Sequence, residues 1–363
     1  MDYRPTPSVR VDMDIAERNI RNALAVLAPV NISHRPHIKA HKSLALARLQ
    51  QKLGCRGVTC AKLGEAEVMA DGGISDILLA YPLIGEDKLE RYRALLTHGD
   101  IQIRTVINSI PGARGLSDLG RTLNRRLPVL IELDGGIKRG GLPNGKALAL
   151  FAMAVKDMPG LRIEGVEYYG GDIYACKTKE DVRLRARHER DEILQAAETL
   201  RSLGIDITIL SGGSSFSMFF PEEISGLTEV RAGNYIFNDC ARLGMGLVTV
   251  EDCALRIYTT VVARPDSETA IIDAGSKTLT SDTVHSRDGY GYVVEAPDAL
   301  IYKLNEEHGF VKQDGGLGWE IGQIVTVIPN HACTIPNLCD EIYAMRGDVF
   351  EGPIQIEARG ANR

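Results

Sequence analysis

Hydrophobic and polar positions along the chain change rhythm twice. Residues 8–13 alternate with the two-residue period of a strand, and residues 15–27 place apolar side chains at the spacing of one helix face. From about residue 35, short apolar runs recur at 36–39, 57–60, 76–81, 103–107, 128–133, 163–169, 207–210 and 230–232. Helical patterns lie between them, among them 64–70, 88–96, 146–156 and 181–203. Eight strands alternating with helices over about 200 residues predict an α/β fold of the (β/α)8 TIM barrel kind, with an open doubly wound sheet as the competing arrangement. After about residue 245 the helical pattern stops. Runs at 254–262, 268–273, 291–295, 323–328 and 341–345, separated by Gly, Pro, Asn and Asp, predict a C-terminal β domain. The expected division is a barrel over 14–244, with 1–13 and 245–363 forming the β domain and a cleft between the two.

Composition narrows the partners. With 363 residues, 44% hydrophobic and 25% charged, the chain can bury a core of that size. A net charge of −6 and a pI near 5.8 speak against nucleic acid or an anionic membrane surface. No run approaches the roughly 18 apolar residues of a membrane span. The start, Met1-Asp2-Tyr3-Arg4-Pro5, lacks the charged-then-apolar pattern of a leader, so a cytoplasmic location is expected. Seven scattered cysteines, an odd number, read as reduced thiols.

Candidate chemistry gathers at strand ends. In His34-Arg35-Pro36-His37-Ile38-Lys39-Ala40-His41-Lys42-Ser43, Pro36 favours extended backbone before it and Ser43 reads as a helix start. Lys39 therefore stands where a strand becomes a loop, the active-site end of a parallel barrel. Positive neighbours Arg35, His37, His41 and Lys42 would favour its neutral, nucleophilic amine. A solvated basic loop that binds an anion is the plainer alternative. Ser211-Gly212-Gly213-Ser214-Ser215 and Arg231-Ala232-Gly233-Asn234-Tyr235 follow the seventh and eighth runs, where barrels commonly hold phosphate. Arg139, in the glycine-rich loop after the fifth run, can fork onto an anionic oxygen. At the sixth, Tyr168 and Tyr169 must face opposite sides of the strand.

Farther on, His331 and Cys333 stand at i and i+2 in Pro329-Asn330-His331-Ala332-Cys333-Thr334. Extended backbone would send both side chains to one face, where an imidazole and a thiolate suit zinc. Two protein ligands leave positions for water or substrate, as a catalytic metal requires. Cys339 and Asp340 are lower-ranked ligands.

Four segments in the same order, 35–42, 231–235, 273–277 and 329–333, resemble the D-threonine aldolase and D-serine dehydratase family, pyridoxal-phosphate enzymes of the alanine-racemase fold type. The resemblance implies a barrel followed by a β domain, a homodimer, and small D-amino-acid substrates. It implies Lys39 as the Schiff-base lysine, with Ser211, Gly212, Gly213, Ser214, Gly233 and Asn234 at the phosphate and Tyr235 beside them. Arg139 would lie near the cofactor's phenolate oxygen, Tyr169 near its ring, and His331 with Cys333 would hold a divalent metal, zinc ahead of manganese or magnesium. Glu167 and Asp172 stand where members often carry Gln and His. Cys333, where aldolases often carry Asp, points towards dehydration. The implied activity is a lyase on D-3-hydroxy amino acids, by β-elimination to a 2-oxo acid and ammonia or by retro-aldol cleavage to glycine and an aldehyde. Three alternatives are a racemase with Tyr290 or Tyr292 as second base, a non-catalytic pyridoxal-phosphate protein, and a phosphosugar-binding barrel.

Overall fold

Strand β1 (Ser8–Asp12) runs directly into helix α1 (Met13–Leu27), because the Asp12 carboxylate accepts the Ile15 amide at 3.0 Å and caps the first turn. Ile15, Ala16, Ile20, Ala23 and Leu27 form the buried stripe of that helix. This computed structural model describes residues 5–363. Residues 1–4, part of the segment expected in the β domain and the start read above as leaderless, lie outside the described residues.

The βα rhythm follows as β2 (Ser33–His34), α2 (Leu44–Leu53), β3 (Val58–Cys60), α3 (Leu63–Asp71), β4 (Asp76–Pro82), α4 (Glu86–Thr97), β5 (Gln102–Ile107) and α5 (Ile110–Thr122). It continues with β6 (Leu127–Leu133), α6 (Lys146–Val155), β7 (Leu161–Tyr168), α7 (Lys179–Ser202), β8 (Ile209–Gly212) and β9 (Glu229–Val230). These eight strands, β2 to β9, pair in parallel in the order β2-β9-β8-β7-β6-β5-β4-β3. The sheet closes where Arg56 N donates to His34 O and Thr59 N to Pro36 O, both at 2.8 Å. That closure makes it a barrel and disposes of the open sheet.

Three of the expected strands are displaced. The first, expected at 36–39, is β2 at Ser33–His34, since Pro36 has no N–H for a ladder. Beyond it the sheet is touched only by a bridge from His37 to Thr59, and Ile38–Ala40 coil into a 3-10 turn that carries Lys39. The run at 207–210 forms β8 two residues later, and that at 230–232 stops at Val230.

The C-terminal part comprises β10 (Leu255–Ala263), β11 (Thr269–Ile272), β12 (Tyr292–Val293), β13 (Leu300–Leu304), β14 (Gly309–Lys312), β15 (Ile324–Ile328), β16 (Glu341–Arg346) and β17 (Val349–Gln355). β1 completes their sheet, antiparallel to β10 and parallel to β16. Leu255, Ile257, Thr259 and Val261 of β10 point inward in alternation. β13, β14 and β17 have no counterpart among the expected runs. β13 and β17 are the sheet's ends, where half-exposed strands keep polar residues and β17 tolerates Gly352 and Pro353.

The last residues return to the barrel: Ala358 N donates to Lys42 O at 3.0 Å and Gly64 N to Arg363 O at 2.8 Å. All seven cysteines are unpaired. Among the described residues, no helix is long and apolar enough to cross a membrane.

Candidate active site

Residues from the C-terminal ends of β2, β4, β6, β7, β8 and β9 line one cavity, which the turn at Ala332–Thr334 closes from the β-domain side. Lys39, Arg139, Tyr169, Gly213, Ser214, Gly233, Asn234 and Cys333, all expected at the site, meet there. The cavity encloses about 560 Å³ with its mouth included.

Tyr169 organises the middle. Its ring centroid lies 5.4 Å from Lys39 Nζ and 4.6 Å from the Arg139 guanidinium. Tyr168 faces the core, as strand alternation requires. Burial lowers the pKa of Lys39, and Arg139 and Arg231 push it the same way, against Cys333 and Glu65. The expected source of that shift is corrected in part. Arg35 is buried between Glu229 and Asp76 at 2.8 and 2.9 Å, His41 bonds Gln50 at 3.1 Å, and Lys42 pairs with Glu65 at 2.9 Å. His37 does face the cavity, but burial, then Lys39 and Arg231, hold its imidazole neutral.

Of the seven residues expected around the anion, Gly213, Ser214, Gly233 and Asn234 line the cavity and Ser211, Gly212 and Tyr235 do not. Ser211 is turned inward, its hydroxyl donating to Glu229 at 2.8 Å and accepting from Arg231 at 2.6 Å. Gly212 packs towards Ile193, and Tyr235 is buried with its hydroxyl accepting from Gln50 at 2.9 Å. These three do not line the cavity; Ser215 does, and its hydroxyl accepts the Tyr235 amide at 3.1 Å. Gly213 adopts a φ of +73°, and its amide is taken by Glu189 at 2.8 Å. At Gly233 a Cβ would meet His37 O at 2.6 Å, so only glycine lets the two backbones approach. The amides of Ser215, Gly233 and Asn234 have no acceptor within the described chain, which leaves them for an anion. Three buried side-chain atoms on the cavity wall, His37 Nδ1, Glu167 Oε2 and Asn234 Oδ1, are likewise unpartnered. A ligand rich in polar groups and carrying an anion, as pyridoxal phosphate is, fits that pattern.

His331 and Cys333 come together by a different route from the one expected. The backbone is not extended through them: His331 precedes a 3-10 turn over Ala332–Thr334 that folds the two side chains towards each other. Burial would lower the His331 imidazole, but the Cys333 sulfur and Asp239 raise it to about 9. Asp239, absent from the expected site, has its Oδ2 3.8 Å from His331 Nδ1. The same oxygen accepts the Ala332 amide at 3.0 Å and the Asn234 side chain, tying the cradle to the turn. Among the described residues no three His, Cys, Asp or Glu side chains form a ready cage. The imidazole and thiol side by side fit a cation whose other positions stay open. Cys339 packs on the core and Asp340 pairs with Arg359, both away from the site.

Glu167 and Arg231, joined at 3.3 Å, and Tyr174 also face the cavity. Arg231 stands inside the quoted 231–235 segment, so attention to the strand's inward face would have found it. Tyr174 lies in the loop after β7 and gave no periodic signal. Asp172 pairs with Arg185 at 2.7 Å and does not line this cavity. Nor do Tyr290 and Tyr292, which pack on apolar clusters.

Comparison with known proteins adds a second line of observation. Residues 11–240 match the family described as alanine racemase, N-terminal domain, and residues 254–345 match a putative serine dehydratase domain. The chain is similar to a D-threo-3-hydroxyaspartate dehydratase of Delftia sp. strain HT23, 30% identical over 346 residues that cover 90% of each protein. It is similar in structure to D-threonine aldolase from Filomicrobium marinum, with a TM-score of 0.89 and 27% identity over 98% of this chain and 96% of the other. A mutant of D-threo-3-hydroxyaspartate dehydratase in the metal-free form superposes with a TM-score of 0.90 at 28% identity, covering 97% of each chain.

Proposed function

Since the chain belongs to the family described as alanine racemase, N-terminal domain, and is closely similar to lyases of hydroxy amino acids, we propose that it is a pyridoxal-phosphate- and divalent-metal-dependent lyase acting on D-3-hydroxy amino acids. The observation that carries this reading is a single cavity in which Lys39, Arg139 and three unpaired amides meet Cys333. Bound pyridoxal phosphate supplies an electron sink for the pair left at Cα, and a divalent ion supplies a Lewis acid at the β-oxygen.

The residues of the chain do the remainder. The amides of Ser215, Gly233 and Asn234 would hold the cofactor's phosphate, and Arg139 would offer its guanidinium to an anionic oxygen of the bound group. Lys39, biased by burial towards the neutral amine, would be the residue that holds the cofactor covalently and, as a free amine, would be the base for the substrate's Cα proton. Glu167 and Arg231 hold each other at the cavity floor, and Tyr169 and Tyr174 keep water from the reacting face. His331 and Cys333 would hold the ion, with the soft sulfur favouring zinc over manganese or magnesium. Loss of the β-hydroxyl yields a 2-oxo acid and ammonia, and Cα–Cβ cleavage yields glycine and an aldehyde. Cys333 in place of the aldolase Asp inclines the reading to the first. Residues 14–244 would act as the cofactor-binding body and 1–13 with 245–363 as the metal-bearing one, in a cytoplasmic homodimer.

The test incubates the loaded protein with D-serine and D-threonine, with and without chelator, and identifies the products. A 2-oxo acid with ammonia, or glycine with an aldehyde, lost on chelation and restored by zinc, is the expected result. Turnover at the same rate under chelation would refute the metal, and racemised substrate without either product set would refute the lyase.

A further inference from the structure

The loop that carries Lys39 is anchored by the far end of the chain. Its turn over Ile38–Ala40 is closed by the amides of His41 and Lys42, which donate to Ile38 O at 3.0 and 2.7 Å. Lys42 takes a φ of +54°, a left-handed conformation in which a β-carbon crowds the backbone, so a lysine holds it only with outside support. Residues near the end of the sequence supply that support. Ala358 N donates to Lys42 O at 3.0 Å, and Lys42 Nζ donates to Ala358 O at 3.4 Å and to Asn362 Oδ1 at 3.0 Å, beside its pairing with Glu65.

Beyond Lys42, the loop enters α2 through Ser43, whose hydroxyl makes no capping bond and is buried without a partner. Glu357 does the capping instead: its carboxylate accepts the Leu44 amide at 2.9 Å, at the helix end that favours negative charge. Arg363 O takes the Gly64 amide in the first turn of α3, next to Glu65. The same segment is tied to the β domain, where Ile356 N donates to Asp340 O at 2.9 Å and Gly360 N to Asn337 Oδ1 at 3.2 Å.

Resting on the function proposed above, we propose that residues 356–363 are a positioning strap for Lys39, with Glu357 and Asn362 as the side chains that fix the end of its loop. None of these residues lines the Lys39 cavity, so the strap acts through Lys42 and Leu44. Placement matters because a shift of about 1 Å in a reacting group can cost about 100-fold in rate. Ile356 and Ala358 are buried and anchor the strap, whereas Glu357 and Asn362 are exposed. Polar bonds at exposed positions contribute little to global stability, so removing these two separates positioning from folding.

The test applies two probes to the full chain. Borohydride-fixed attachment of pyridoxal 5′-phosphate reads Lys39; affinity for pyridoxamine 5′-phosphate, which has the same ring and phosphate but no aldehyde, reads the anion site alone. Glu357→Ala combined with Asn362→Ala should slow attachment about tenfold or more and leave pyridoxamine 5′-phosphate affinity unchanged. Glu357→Gln with Asn362→Asp keeps an acceptor at each place and should return the rate to within about twofold of wild type. Should the double alanine variant not fold, Asn362→Ala alone should slow attachment about threefold. Attachment at the wild-type rate in the alanine variants, or an equal loss with both probes, overturns the strap and leaves the lyase standing. A wild-type chain that fixes no cofactor at Lys39 overturns the proposed function and the strap with it.

Discussion

Glu189 in α7 offers the sharpest physical test of the cradle. Its side chain is buried, with the residue 3% exposed, and it accepts the Gly213 amide at 2.8 Å, so the carboxyl fixes the glycine turn that begins the anion site. Burial raises it to about 7 from an ordinary 4.5, against the lowering effect of the Gly213 and Gly170 amides and of Arg231. That displacement corresponds to about 3 kcal/mol. The folded protein binds this proton more tightly than the unfolded chain does. The stability it contributes is therefore fully present below pH 4.5 and is lost as pH rises through about 7. Glu189→Gln keeps a carbonyl oxygen for Gly213 but has no proton to lose. Urea unfolding of both proteins from about pH 4 to pH 8.5 should show wild type losing about 3 kcal/mol relative to the variant, with the change confined to that window. A difference that stays flat with pH would refute the reasoning, and so would a wild type that gains on the variant as pH rises.

Borohydride reduction of the loaded protein followed by peptide mapping should place the label on Lys39; a label on Lys42, committed to Glu65, or on exposed Lys277, paired with Glu307, would sink the assignment. Gly233→Val should abolish detectable cofactor binding by driving a Cβ towards His37 O, whereas Gly318→Ala, with nothing within 4 Å, should bind as wild type does; equal occupancy in both would move the cradle elsewhere. Cys333→Asp should shift metal preference from zinc towards manganese or magnesium in competition titrations, and an unchanged order would detach Cys333 from the metal. Lys42→Met leaves Glu65 buried and unpaired, so thermal and urea unfolding should report a loss of about 3 kcal/mol; a loss under 1 kcal/mol would show the pair to be solvated.

Period and punctuation in the sequence were enough for the architecture. Alternation placed β10, covered on a single face, and the unbroken apolar stretch 77–80 marked β4, whose residues 77–79 are buried whichever face they take. The residues that meet in the cavity were legible too: Lys39, Arg139, Tyr169 and Gly233 follow runs whose ends a barrel gathers at one rim, and Cys333 stood out beside His331 after a run of the β domain. Tertiary structure decided what the side chains at that rim face. Arg35, His41 and Lys42 crowd Lys39 along the chain yet spend their charge or hydrogen bonds on Glu229, Gln50 and Glu65, while Arg139 and Arg231, about 100 and 190 residues away, act on it. Ser211 and Gly212 looked like the cradle, but a parallel strand alternates faces, and β8 turns Ser211 onto Glu229 and Arg231 and Gly212 towards Ile193 of α7, leaving Ser215 and Asn234 at the cavity. Asp239 and Tyr174 gave no periodic signal at all, because a turn takes its direction from what it packs against. Spacing within one segment fixes local conformation, whereas the partner of a buried charge is set by which distant segments the closed barrel brings within hydrogen-bonding reach.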